Sequence, residues 1–163
     1  MFKGQALWFI KKQASRLKVD KCSSSCSCST CNCFCKNIYK WSMMIREIES
    51  DNNPNAAAKT SSAKGVYQFT DASVQTAKNR MSNMGFDTYY IREIDINPKN
   101  WTNEQADSVF LANMFAQRGS DKLLKKVGQG DLDAMKEAYY KFHHTDPDEA
   151  TIKRVNRLMQ CIQ

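Results

Sequence analysis

A single carboxylate, Glu49, stands where a predicted helix comes to its end. The apolar residues that precede it are Ile38, Trp41, Ile45 and Ile48. Their spacing of three or four predicts an amphipathic helix, and the Asn-Asn-Pro sequence at 52–54 predicts its end. Burial at the edge of this stripe and the negative end of the helix dipole both favour a neutral carboxyl, so we expect a raised pKa for Glu49. A protonated carboxylic acid is the group that glycosidic cleavage needs, because it donates a proton to the leaving oxygen.

A polar loop follows this acid, over residues 51–64. Its amide and hydroxyl side chains suit the hydroxyl and acetamido groups of a sugar chain. Gly65 would let the backbone approach a ligand closely, and Gln68 follows within an apolar and aromatic segment. The alternative interpretation is that Glu49 is a solvated acid at a helix end and that the loop only connects two helices. Glu47, two residues earlier, fits that alternative description.

The order of short motifs around Glu49 resembles that of the lytic transglycosylase and goose-type lysozyme superfamily. The motifs are ES at 49–50, NPNA at 53–56, SSAKG at 61–65 and VYQF at 66–69. The string SSAKGVYQF looks most like that of bacteriophage-encoded members. The resemblance implies a lysozyme-like fold with Glu49 as general acid and base. It also implies substrate contacts by residues of the motifs: Ser50, Gly65, Tyr67, Gln68 and Phe69.

A second segment, EAYYKFHHT at 137–145, falls where these families place an Ala-Tyr pair. The resemblance implies that Tyr139 or Tyr140 points at the catalytic acid and contacts the substrate, and the choice between them stays open. The family often continues with Asn-x-Gly, which this chain lacks. A place in a helix core is the alternative for Tyr139. His143 and His144 suit either a substrate contact or a cap at the helix end.

The number of acids bears on the mechanism. Conventional glycosidases use two carboxylates, and Asp51 and Asp71 are the candidates for a second one, but neither has an apolar frame. The resemblance implies instead a substrate-assisted route, in which the N-acetyl group of the muramoyl sugar stabilises the positive centre. Glu49 then takes the proton of the muramoyl 6-hydroxyl and an anhydro product forms. If water attacks, the enzyme is a hydrolytic lysozyme; neither route needs a metal or another cofactor in the catalytic site.

Basic residues and cysteines are concentrated near the N-terminus. Residues 1–40 hold eight Lys or Arg and one acid, and the remaining residues hold sixteen of each sign. Such a segment is attracted to polyanions such as nucleic acid, anionic lipid or cell-wall polymer, or is simply a solvated tail. Six of the seven cysteines lie close together: Cys22, Cys26, Cys28, Cys31, Cys33 and Cys35. An all-sulfur metal site, a set of disulfides and a reduced linker all remain open.

The chain length of 163 residues suffices for one domain with a substantial core. The longest apolar run, residues 6–10, is too short for a membrane span or a signal peptide, so we expect neither. Recurrent capping residues, among them a capping box in TNEQ at 102–105, and glycine stops predict a mainly α protein, with at most a small irregular β element near residues 60–70. The expected organisation is a basic Cys-rich N-terminal arm over 1–36 and a lysozyme-like catalytic domain over 37–163.

These expectations combine into a phage-encoded enzyme that cleaves the β-1,4 bond between N-acetylmuramic acid and N-acetylglucosamine. We expect synthesis in the host cytoplasm without a signal peptide, transport in the virion, and action on the host periplasm and cell wall during genome entry. The partners would be the peptidoglycan glycan strand and, through the arm, virion proteins. The alternatives are an endolysin that releases progeny, a non-catalytic virion structural protein, and an inert helical body that carries a metal-binding or nucleic-acid-binding arm.

Overall fold

The computed structural model describes residues 1–19 and 33–162, and over these ranges the chain is mainly helical. This confirms the predicted α class. The helices are α1 Gly4–Arg16, α2 Phe34–Ser50, α3 Asp71–Asn83, α4 Thr88–Glu93, a 3-10 helix Pro98–Asn100, α5 Asn103–Phe115, α6 Ser120–Gly128, α7 Leu132–Phe142 and α8 Glu149–Ile162. No helix within these ranges is long and apolar enough to cross a bilayer.

Local capping explains where several of these helices begin. Thr102 and Gln105 form the predicted capping box of α5, because each side chain binds the backbone N–H of the other residue. The side chain of Thr70 caps α3, and that of Asp131 caps α7. Each cap satisfies a backbone N–H that has no partner within its own helix.

The loop after α2 contains two isolated β-bridges. Two isolated antiparallel bridges join Ala57 to Lys64 and Lys64 to Phe69, and no sheet forms there. The predicted irregular β element therefore reduces to these two bridges. They fold residues 57–69 back on themselves beside the end of α2.

The core surrounds α5, whose residues 106–115 are all buried. Helices α1, α3 and α6 pack against it. The Trp41 indole Nε1 donates a hydrogen bond to the Met135 carbonyl over 2.9 Å and so ties α2 to α7. This packing brings the C-terminal end of α2, which carries Glu49, to the C-terminal part of α7.

Helix α1 is part of this core, so the prediction of a separate arm over 1–36 is wrong for residues 1–19. Phe9 and Ile10 are fully buried, and the Phe9 ring stacks on Phe86 with centroids 4.9 Å apart. The Arg16 guanidinium pairs with Asp121 of α6 over 2.6 Å. The apolar stripe of α1 is buried against the domain, while the lysines that suggested an arm lie on its exposed face.

The domain also begins earlier than the predicted boundary at residue 37. Helix α2 starts at Phe34, and the side chains of Phe34 and Cys35 are buried, as is that of Cys33. The other four cysteines of the predicted cluster, Cys22, Cys26, Cys28 and Cys31, lie outside the described residues. The choice among metal, disulfides and thiols therefore stays a prediction.

Candidate active site around Glu49

Glu49 lies in the last turn of α2 with its side chain 11% exposed. Its Oε1 atom accepts a hydrogen bond of 2.6 Å from the Tyr139 hydroxyl. The Nδ1 atom of His144 is 3.2 Å from the same oxygen, and the Nε2 atom of His143 is 3.9 Å away. No described residue forms a hydrogen bond with Oε2. One face of the carboxylate is therefore held by the protein, and its second oxygen is left for another partner.

The end of α2 is fixed by its neighbours in the chain and in space. Asp51 and Asn52 adopt left-handed backbone conformations, with φ of 55° and 58°, and turn the chain away from the helix. The Ser50 hydroxyl lies 3.0 Å from the Arg46 carbonyl oxygen and 2.8 Å from that of Val66. Ser50 thus joins the acid-bearing turn to the polar loop. Its predicted contact with substrate stays a prediction.

The structure decides which tyrosine faces the acid. Tyr139 is fully buried and its hydroxyl contacts Glu49, whereas the Tyr140 hydroxyl is buried without a partner among the described residues. The two rings lie 5.4 Å apart. Helix α7 turns only one of two adjacent tyrosines toward α2, because neighbouring residues on a helix point in different directions. Tyr139 therefore serves as the hydrogen-bond donor, and a substrate contact by Tyr140 stays a prediction.

Both histidines lie beside Glu49, which the sequence interpretation left open. His143 is buried, and its Nε2 atom lies 2.9 Å from the Tyr67 carbonyl oxygen. His144 is one-third exposed, and its Nδ1 atom is 3.1 Å from the Tyr139 hydroxyl as well as near Glu49. The sequence interpretation offered a substrate contact or a helix-end cap for these residues and did not predict their contact with Glu49. Glu49, Tyr139 and His144 form a three-membered hydrogen-bonded cluster that reaches solvent through His144.

The charge state of this cluster differs from the expectation. Burial raises the pKa of Glu49, as predicted, but the hydrogen bond with His144, the field of His143 and the Tyr139 hydrogen bond together outweigh burial and leave the pKa lowered. The expected raised pKa is therefore wrong. Conversely, the hydrogen bond with Glu49 raises the pKa of His144. Burial lowers the pKa of His143.

Gly65 and Gln68 hold the polar loop in its conformation. Gly65 has φ of +80°, and a Cβ atom there would lie 2.9 Å from the Pro98 Cβ atom. The Gln68 side chain donates to the carbonyl oxygens of Gly65 (2.9 Å) and Ala56 (3.3 Å). The structure thus gives both residues a packing role within the loop. The substrate contacts that the resemblance implies for them stay predictions.

The side chains of Tyr67 and Phe69 are both buried, and the substrate contacts that the resemblance implies for them stay predictions. The Tyr67 hydroxyl donates to Asp107 over 2.7 Å, and its ring stacks on Phe110 with centroids 4.4 Å apart. Tyr67 acts on the site through its backbone, because its carbonyl oxygen lies against His143. Phe69 lines a cavity next to His143 and remains compatible with the predicted contact.

No second carboxylate joins the Glu49 cluster among the described residues. Asp51 pairs with Arg154 of α8, and Asp71 lies 3.9 Å from Lys64; both acidic side chains are exposed. In residues 1–19 and 33–162, no group of three or more His, Cys, Asp or Glu side chains is arranged to hold a metal ion. The arrangement offers one carboxylate, one phenol and one exchangeable imidazole.

No protein-family model, no curated protein and no solved structure matches this chain. The motif order and the geometry of the site are therefore the grounds on which a function can be assigned.

Proposed function

We propose that this protein is a peptidoglycan lytic transglycosylase that cleaves the β-1,4 bond between N-acetylmuramic acid and N-acetylglucosamine. The observation that carries the proposal is the single shielded carboxylate, Glu49, held on one oxygen by Tyr139 and His144, while no described residue bonds its other oxygen. The order of motifs around it supports this reaction class. In this proposal Glu49 is the general acid and base.

Glu49 needs a proton before it can act, and His144 is placed to provide it. When His144 is protonated, its Nδ1–H donates to Oε1 of Glu49 across 3.2 Å. Transfer of one proton from His144 to the carboxylate converts the ion pair into a neutral carboxylic acid and a neutral imidazole, and the acid can then carry its proton on Oε2, the oxygen that no described residue binds. The two groups interact strongly, so they titrate as a pair and share the proton. His144 is partly exposed and can recover a proton from water.

The proton balance of the reaction closes on Glu49. Its proton passes to the glycosidic oxygen as the bond from that oxygen to C1 of the muramoyl sugar breaks. The oxygen of the muramoyl N-acetyl group stabilises C1, which replaces the second carboxylate that the site lacks. The carboxylate of Glu49 then takes the proton of the 6-hydroxyl, whose oxygen bonds to C1 and displaces the acetamido oxygen. Glu49 ends the cycle protonated, and the product is a 1,6-anhydro sugar.

Digestion of purified peptidoglycan by the wild type and Glu49→Gln tests this proposal. Glu47→Gln is the matched control, because it makes the same change on an exposed residue of the same helix. Loss of the general acid should lower the rate by about 10²–10⁴-fold, and the control should retain it. Mass spectrometry distinguishes anhydro products from reducing ends, which differ by one water. Reducing ends would make the enzyme a hydrolytic lysozyme, and no cleavage by the wild type would leave the non-catalytic structural protein.

The proposal also assigns a place of action. We propose that the protein is carried in a phage virion, docks to virion proteins through its cysteine-rich segment, and opens the host cell wall during genome entry. Mass spectrometry of purified virions tests this, since an endolysin would occur in the lysate and be absent from washed particles.

A further inference from the structure

A cavity of about 300 Å³ lies directly beside the Glu49 cluster. His143 lies between the two, since it lines the cavity and its Nε2 atom is 3.9 Å from Oε1 of Glu49. Gln68 and Phe69, two residues of the VYQF motif, line the cavity as well. A concave volume that adjoins a catalytic group is where part of a substrate is expected to bind.

The far side of the cavity comes from two helices that carry none of the motifs. Helix α3 contributes Thr76 and Arg80, and α5 contributes Asn113. The Arg80 guanidinium donates a hydrogen bond to the Asn113 side-chain oxygen. Arg80 is half-buried and forms no ion pair with a carboxylate in the part of the chain that the structure describes. Its charge is therefore left without an anionic partner.

The side-chain N–H group of Asn113 is available as a hydrogen-bond donor. Asn113 is buried to more than nine-tenths, and because Arg80 can only donate, the amide oxygen must face the guanidinium. Its Nδ2 group has no acceptor among the described residues. The cavity thus presents a guanidinium and an amide N–H side by side, which is a donor set that fits a carboxylate.

The charge of the cavity lining also favours an anionic group. None of the lining residues is acidic. Burial lowers the pKa of His143, which disfavours the charged form of that ring. Arg80 therefore provides the formal charge of the lining, and an anionic group is favoured there over a neutral one.

We infer that this cavity binds a carboxylate carried on the substituent at O3 of the muramoyl sugar, and that Arg80 makes the enzyme select muramoyl strands over strands of N-acetylglucosamine alone. The inference rests on the proposed function, because it places a glycan strand across Glu49. Two sources share this chemistry: the free lactyl carboxylate of a strand without peptides, and the carboxylates of a stem peptide.

The test measures binding to full-length Glu49→Gln protein, which leaves the ligands intact. Three ligands are compared by calorimetry: chitotetraose, the peptide-free tetrasaccharide of alternating N-acetylglucosamine and N-acetylmuramic acid, and the same tetrasaccharide with stem peptides. Tighter binding of the second by about tenfold over the first would locate the lactyl carboxylate in the cavity, since a hydrogen bond to a charged group is worth at least that factor. Tighter binding of the third alone would locate the stem peptide there.

Variants in the Glu49→Gln background assign the preference to a residue. Arg80→Gln should abolish it, Arg80→Lys should retain part of it, and Arg92→Gln, the same change on an exposed helix outside the cavity, should leave it intact. Equal binding of all three ligands, or a preference that survives Arg80→Gln, overturns the inference. If the wild type still cleaves peptidoglycan in that case, the proposed function stands; if it neither binds nor cleaves, both fail.

Discussion

Replacement of Gly65 by alanine separates a packing role for this residue from a substrate role. Gly65 has φ of +80°, a region that L-residues other than glycine rarely adopt. An alanine Cβ atom would lie 2.9 Å from the Pro98 Cβ atom and 3.0 Å from the Pro98 carbonyl oxygen. Carbon atoms in good contact are about 3.5–4.0 Å apart, so the loop or the 3-10 helix at Pro98–Asn100 must shift.

The loss of stability in Gly65→Ala has two contributions, the left-handed conformation and the clash with Pro98. The left-handed conformation costs an L-residue about 1–2 kcal/mol, and the clash with Pro98 adds the cost of overpacking, about 1–3 kcal/mol. Gly65→Ala should therefore lower the free energy of unfolding by about 2–5 kcal/mol. For a protein of this size, each kcal/mol corresponds to roughly 2–4 °C in Tm, so the midpoint should fall by roughly 4–20 °C.

Gly119→Ala is the matched control. Gly119 has a similar φ of +77°, but a Cβ atom there would meet nothing within 4 Å. In this variant the free energy of unfolding should fall only by the cost of the left-handed conformation, about 1–2 kcal/mol. Urea unfolding of the wild type and both variants, analysed at a common m-value, measures the difference. That difference isolates the packing of the loop against Pro98.

The opposite pattern would refute this reasoning. If both glycine variants unfold at the same urea concentration while Gly65→Ala alone loses glycan cleavage, the packing explanation fails. Gly65 would then serve the close ligand approach that its motif implies.

Four further variants test the site and the core. His144→Gln keeps a hydrogen-bond donor but has no group that titrates near neutral pH. The alkaline limb of the kcat/KM profile should therefore move to lower pH, and an unchanged limb would exclude His144 as the proton store. Tyr139→Phe removes a hydrogen bond to a charged group, worth about 1.5–3 kcal/mol, and should lower kcat by about tenfold or more. Tyr140→Phe should leave kcat near the wild-type value, and equal losses in the two tyrosine variants would contradict the assigned orientation of α7. Gly128→Ala would place a Cβ atom 1.9 Å from the buried Phe34 ring. The free energy of unfolding, measured in urea, should fall by about 2 kcal/mol, because overpacking of up to about 3 kcal/mol exceeds the gain of about 1 kcal/mol in helix propensity. An unchanged or raised stability would show that the ring moves freely.

The end of α2 and the start of α5 were predictable because their signals are local. The apolar spacing of residues 38–48 and the Asn-Asn-Pro stop placed Glu49 in a last helical turn, where the structure has it. The capping box at Thr102 was equally recognisable in the sequence, because both of its hydrogen bonds lie within four residues.

The N-terminal boundary of the domain and the charge state of Glu49 were less predictable. The lysines near the N-terminus suggested a separate arm, but Phe9 and Ile10 are buried by α5 and its neighbours, which no count of charges within the segment could reveal. The pKa of Glu49 was expected to rise through burial. It is lowered because His143 and His144, more than ninety residues away in the chain, approach it in space.

The sequence by itself determined the α class and the helix whose last turn carries Glu49, because these depend on spacing and on neighbouring residues. The order of motifs adds a resemblance, and it is this resemblance that implies a glycan substrate. Only the tertiary structure decided that Tyr139 contacts Glu49 and Tyr140 does not, that His144 shares its hydrogen bonds, and that Arg80 faces a cavity beside the acid. Each of these depends on how α2, α3, α5 and α7 pack, and on which side each helix turns toward the next, at separations of thirty to ninety residues. The relative rotation of packed helices is set by the whole core, and it is this rotation that gathers a site from residues whose local sequence signals are weak.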